Sequence, residues 1–178
     1  PEAAPTTAEL PETAILVADA SGNGTATWSQ QTAQGDWDIL AQRFDSLGNL
    51  LDEATEVNSN TDGDQHRVAA AMDGPGNLML VWQSEDQDSD AGGVYAQFYA
   101  ADGEAVGSEF RVNTTTVGDQ AGPQGAADDQ GGFLVVWTSH DGDTTNIVAQ
   151  QYKASGEALG QEFYVADASD RTPNLIAV

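Results

Sequence analysis

The chain has 178 residues, enough for one domain with its own core and few for two. Five basic against 29 acidic residues give a formal net charge of −24, a surface that repels nucleic acid and anionic membranes and suits a salty or calcium-rich exterior that screens self-repulsion. There is no cysteine, which excludes disulfides and thiolate metal sites, and no apolar run approaches the ~18 residues of a membrane-spanning helix.

Residues 1–12, rich in Pro, Ala, Thr and Glu, bury little and read as a linker or docking arm. The chain opens on Pro1 with no apolar leader, as a processed product or a piece of a longer protein does. Residues 13–178 read as a single repeat domain, with copies at about 13–65, 66–120 and 121–170 and a partial fourth at 171–178. Trp28, Trp82 and Trp137 are spaced 54 and 55 apart. Behind them come Leu-Ala-Gln-Arg-Phe (40–44), Tyr-Ala-Gln-Phe-Tyr (95–99) and Val-Ala-Gln-Gln-Tyr (148–152), then Gly48, Gly103 and Gly156.

Each copy predicts four short strands. The first strands are expected at 14–18, 68–72 and 124–127, and the second at 25–28, 78–82 and 133–137. The third fall at 39–44, 94–99 and 147–152, and the fourth at 55–58, 109–113 and 162–165. Asp, Gly, Asn and Ser clusters between them supply positive φ and local hydrogen bonds. No stretch carries a helical period.

The second strands decide the architecture. Leu78-Met-Leu-Val-Trp82 and Phe133-Leu-Val-Val-Trp137 are apolar on both faces, where a solvated sheet would alternate. Each four-stranded sheet must then be covered on both sides. The expected fold is all-β, with three propeller-like blades plus one extra C-terminal strand, and the tryptophans between sheets. Three copies also describe a β-trefoil or β-prism. Against these, Thr172-Pro-Asn-Leu-Ile-Ala-Val178 repeats the start of a copy, for which a closed three-fold fold has no place.

The pattern Gly-Gly-Phe-(apolar)3-Trp, an acidic turn, Tyr-Ala-Gln, Glu-Phe-x-Val-Asn-Thr and Gly-Asp-Gln resembles tandem repeats of large secreted RTX-type and adhesin-like bacterial surface proteins. The likeness runs from about residue 14 to 178 and is eroded in the first copy, where Asp52 and Ala54 replace Gly107 and Glu109. It implies secretion or cell-surface exposure, possible calcium and a scaffold or adhesive role, and supplies no catalytic residue.

Asp86, Asp88 and Asp90 alternate as carboxylates of calcium loops do, with Ala91 where such loops hold glycine. The third copy keeps two carboxylates there, Asp141 and Asp143. Gly63-Asp64-Gln65 and Gly118-Asp119-Gln120 are expected to cap the sheet-to-sheet crossings through the aspartates, with the glutamines tying adjacent sheets. His66 and His140 stand apart in the repeat, and no nucleophile motif accompanies them.

Taken together, the residues imply a non-enzymatic structural, adhesion or assembly module of a bacterial surface or secreted protein. It is expected to self-associate, as a homo-oligomer or with neighbouring repeats, through open blade faces. Thr172, Pro173, Leu175, Ile176 and Val178 would add as an edge strand. The competing reading is a carbohydrate-binding propeller lectin, with Trp37 and Tyr95 as exposed sugar platforms.

Overall fold

The computed structural model describes residues 14–167. The N-terminal arm and the assembly residues Thr172, Pro173, Leu175, Ile176 and Val178 lie outside the described residues, and with them the expected extra strand.

The first sheet runs β1 (Ile15–Ala18), β2 (Gly24–Gln31), β3 (Trp37–Phe44) and β4 (Thr55–Glu56). The second runs β5 (Gln65–Met72), β6 (Leu78–Glu85), β7 (Gly92–Tyr99) and β8 (Ala105–Arg111). The third runs β9 (Asp119–Ala127), β10 (Gly132–Asp141), β11 (Thr144–Lys153) and β12 (Phe163–Asp167). Each sheet is an antiparallel meander whose spatial order follows the chain. Strand β5 packs on β1, β2 and β3, and β9 packs on β5, β6 and β7, so the sheets fan out with their first strands closest together.

The doubly apolar second strand explains this stack. Leu78, Leu80 and Trp82 point toward the first sheet and join Ile39 and Val57 in one core. Met79 and Val81 point the other way and join Phe133, Val135 and Trp137 of the third sheet. All five β6 side chains are 5% exposed or less. The middle sheet thus lies between the other two, and among the described residues no core cluster joins the first sheet to the third. That is a propeller-like row, not the β-trefoil or β-prism alternative.

The turns repeat one design. The Asp73 carboxylate accepts from the backbone N–H groups of Gly76 at 2.9 Å and Asn77 at 2.7 Å. Gly76, at φ +102°, takes the left-handed position that a three-residue hairpin with a bulge demands. Asp19, Asp45 and Asp128 cap their own turns in the same way.

Candidate functional site

The contact between the second and third sheets is the reference. There Phe98 packs on Phe110, Phe133 and Tyr152 with ring centroids 6.1, 5.3 and 5.8 Å apart, which fills the wedge between blades. The first sheet presents the equivalent face to the second sheet, but its chemistry has changed. One repeat earlier, Phe98 becomes Arg43, Phe110 becomes Thr55, Met79 becomes Thr25 and Val81 becomes Thr27. Small and polar groups cannot fill the wedge. What remains is a cleft of about 300 Å³ between the first two sheets.

Its walls come from four segments. Ala41 and Arg43 of β3, with Leu51, Asp52 and Thr55 beyond it, supply one side. Met72 of β5, Leu78 of β6, Tyr99 of β7 and the turn through Gly103 and Glu104 supply the other. The polar groups are held in place. Arg43 Nη1 donates to the Asp102 carbonyl of the second sheet at 2.6 Å. Gly103, at φ +92°, permits this, because a Cβ there would collide with the guanidinium. The Asp52 carboxylate accepts from the Arg43 backbone N–H at 3.2 Å, and the Asp52 carbonyl accepts from Gln42 Nε2 at 2.7 Å. Burial, and then the nearby Glu109, push the Tyr99 phenol up to about 12, so it remains a neutral hydroxyl at physiological pH.

At the cleft mouth the Asp19 carboxyl is partly desolvated, but hydrogen bonds from Asn23, Ser21 and Gly22 outweigh that and hold it below the usual carboxylate range. Among the described residues Arg43 has no carboxylate within 4.0 Å, so it keeps donors to spare beyond the one given to Asp102.

The residues expected from sequence fall elsewhere. Asp86 has φ +61° at the β6–β7 turn. Asp88 is 9% exposed, and its Oδ2 accepts from buried Asn113 at 3.2 Å. Asp90 accepts from the Gly118 N–H at 2.9 Å, tying the turn to the next crossing. Among the described residues no group of three or more His, Asp or Glu side chains gathers to hold a metal ion. Tyr95 is no exposed platform: it is 6% exposed and packs in the core with Trp82 and Leu80. Trp37 is 39% exposed but begins β3 while Arg43 lies near its end, roughly 20 Å away at strand rise.

Asp64 accepts from the Trp37 N–H at the start of β3 at 3.1 Å rather than from its own crossing, and Asp119 Oδ1 is buried without a partner. The glutamines do not bridge sheets. Gln120 Oε1 accepts from Trp137 Nε1 of its own sheet at 3.1 Å, and its Nε2 donates to the Val117 carbonyl at 3.3 Å. His66 faces Glu85 at 3.2 Å and His140 faces the Thr145 hydroxyl at 3.0 Å, in different sheets. Sequence reading passed over Arg43, Thr55 and Asp52. The signal was the set of positions where the first copy departs from the second.

In comparisons of sequence, no protein-family model and no curated protein matches the chain. Comparison of structures finds likeness to an endo-arabinase from Bacteroides thetaiotaomicron, with a TM-score of 0.54, 14% identity, and cover of 88% of this chain and 62% of that one. A thermostable family-43 glycoside hydrolase gives 0.54 and 12%, with 86% of this chain and 53% of the other covered. A fucose lectin from Kordia zhangzhouensis, solved with methyl-fucoside, gives 0.47 and 12%, with 86% and 97% covered. This chain thus spans 62% and 53% of the length of the two hydrolases. At 12–14% identity the likeness concerns the fold, and the hydrolases agree with the propeller-like stack. Among the described residues no helix is long and apolar enough to cross a membrane.

Proposed function

We propose that this chain is a carbohydrate-binding module of propeller type, and that the cleft between its first two sheets holds a small neutral saccharide. The observation that carries this reading is the replacement of the Phe98–Phe110 wedge by Arg43 and Thr55, which opens about 300 Å³ at one blade junction. That volume sits at the lower end of the ~300–1,000 Å³ typical of ligand sites. Leu78 and Met72 offer an apolar wall to the C–H face of a sugar ring. Arg43, Asp52 and the Tyr99 hydroxyl offer donors and acceptors to its hydroxyls. Three lining carboxylates, those of Asp19, Asp52 and Glu104, surround the single arginine and disfavour an anionic ligand. The secreted setting suggested by the repeat pattern fits such a role.

The test is a glycan array of neutral mono- and oligosaccharides, read with the wild-type chain, Thr55→Phe and Arg43→Ala. Thr55→Phe restores the aromatic of the neighbouring blade and fills the cleft. Binding by the wild type, weakened at least about tenfold in both variants, is the expected result, equivalent to about 1.4 kcal/mol. Silence across the array sinks the proposal. Release of new reducing ends from arabino-oligosaccharides would show catalysis and overturn the binding-only reading.

A second reading, the scaffold or assembly module, is favoured by one observation of its own: the outward face of the third sheet is apolar at five positions whose second-sheet equivalents pack in a buried junction.

A further inference from the structure

The repeat lets each position of the third sheet be compared with one whose environment is known. In the second sheet Met79, Val81, Val94 and Val112 are 4% exposed or less, because the third sheet covers them. Phe110 packs against the same core. One repeat on, these positions hold Leu134, Val136, Ile147, Val165 and Phe163. The apolar identities are kept, but the cover is gone. Phe163 is 45% exposed and Val165 51%, while Leu134, Val136 and Ile147 are only half-buried.

We propose that this face is an interface with a second copy of the chain, packed third sheet to third sheet about a two-fold axis. Continuity with the second-to-third junction supports an interface: five strand positions that bury one blade against the next are apolar again. The first sheet is polar at the positions of Met79, Val81, Phe98 and Phe110, with Thr25, Thr27, Arg43 and Thr55, whereas the third sheet is polar at one of these four, with Gln151 in place of Phe98. The choice of a two-fold arrangement follows from the other end of the row. A head-to-tail stack would need the first sheet's opposite face, where Ala26 and Trp28 are buried, at 0% and 5% exposure, and Leu16, at 58%, is left open. The third-sheet face, by contrast, can serve both partners at once, as closed dimers require. Charge points the same way. In a chain of net charge −24, Leu134, Val136, Ile147, Phe163 and Val165 form an uncharged patch where two copies can approach. Sheets packed face to face lie about 10 Å apart, close enough for these side chains to interdigitate.

The experiment is light scattering on the full chain after size exclusion, at about 0.15 M and about 1 M NaCl, which shorten the Debye length from about 8 Å to about 3 Å. The expected mass is twice 18.6 kDa, with the dimer fraction rising as salt screens the repulsion between copies. Phe163→Glu and Val165→Glu should return the mass to 18.6 kDa while the chain still melts cooperatively, since both residues are exposed in the single copy and only the stabilisation by association is lost. Tyr164→Glu, on the other face of β12 and 59% exposed, should leave the dimer intact. A wild-type mass of 18.6 kDa in both salts overturns the proposal, as does a dimer that survives Phe163→Glu or an assembly larger than two copies.

Discussion

Arg67 shows how one residue can be read against its repeat. It lies at the irregularity where β5 shifts register against β6, with φ +53°. The same irregularity in β9 is filled by Gly122 at φ +59°. A left-handed non-glycine residue costs about 1–3 kcal/mol, partly offset by the flexibility glycine would add to the unfolded chain. Arg67→Gly is therefore expected to stabilise the fold by about 0.5–1 kcal/mol in urea denaturation. The tryptophans give a second comparison. Trp137 Nε1 donates to Gln120, while Trp82 Nε1 and Gln65 Oε1 are buried without a partner. Trp137→Phe orphans Gln120 Oε1, whereas Trp82→Phe removes a donor that had no acceptor. The first should cost about 1 kcal/mol more than the second. A third case is set by pH. Hydrogen bonds from the Asn49 side chain and backbone, which outweigh partial desolvation, hold the Asp45 carboxyl below its ordinary value of 3.8. Its contribution is present above that value and lost as pH falls through the lowered folded one. The gap in melting temperature between wild type and Asp45→Ala should be open at pH 7 and close at strongly acidic pH. A gap that persists there would contradict this.

At the scale of the element, the strands were legible because their signal is local. Every strand expected within the described residues is present, and most extend further than the apolar run. Strand β9 begins at Asp119 rather than at 124, since Gly122 and Pro123 hide its first half. The fourth strands were harder, and β4 shrinks to Thr55–Glu56. What organises them is a buried asparagine that propensity does not reveal. Asn113, 2% exposed, accepts from the Val94 N–H at 2.8 Å and donates to Asp88 and to the Thr115 carbonyl. Asn58 does the same for Ile39 and Asp38. Asn113→Ala would leave these groups unpaired and should cost about 2–3 kcal/mol in denaturation. The third sheet has Ala166 here and lacks the clamp. The acidic turn 85–93 is held by the same asparagine. Alternating carboxylates look like a cation loop in sequence, but in space Asp88 and Asp90 are engaged by Asn113 and Gly118.

At the scale of the whole molecule, the repeat made the blades predictable and the differences between copies placed the cleft. A cleft between blades belongs to no single strand, so no local pattern announces it. Arg43 is one polar residue in a strand, and Thr55 is a good strand former. Their meaning appears only when the first copy is laid on the second and the Phe98–Phe110 wedge is seen to be missing. Open third-sheet positions carry the complementary message, because there the apolar residues persist without cover. The most direct test of the account is an amide NMR titration of the full chain with the neutral saccharide best retained on the array. Shifts concentrated at Arg43, Asp52, Thr55, Leu78 and Tyr99, with the equivalent wedge at Phe98 and Phe110 silent, are the expected result. Shifts gathered around Trp37 or on the third sheet, with the cleft residues unmoved, would contradict it.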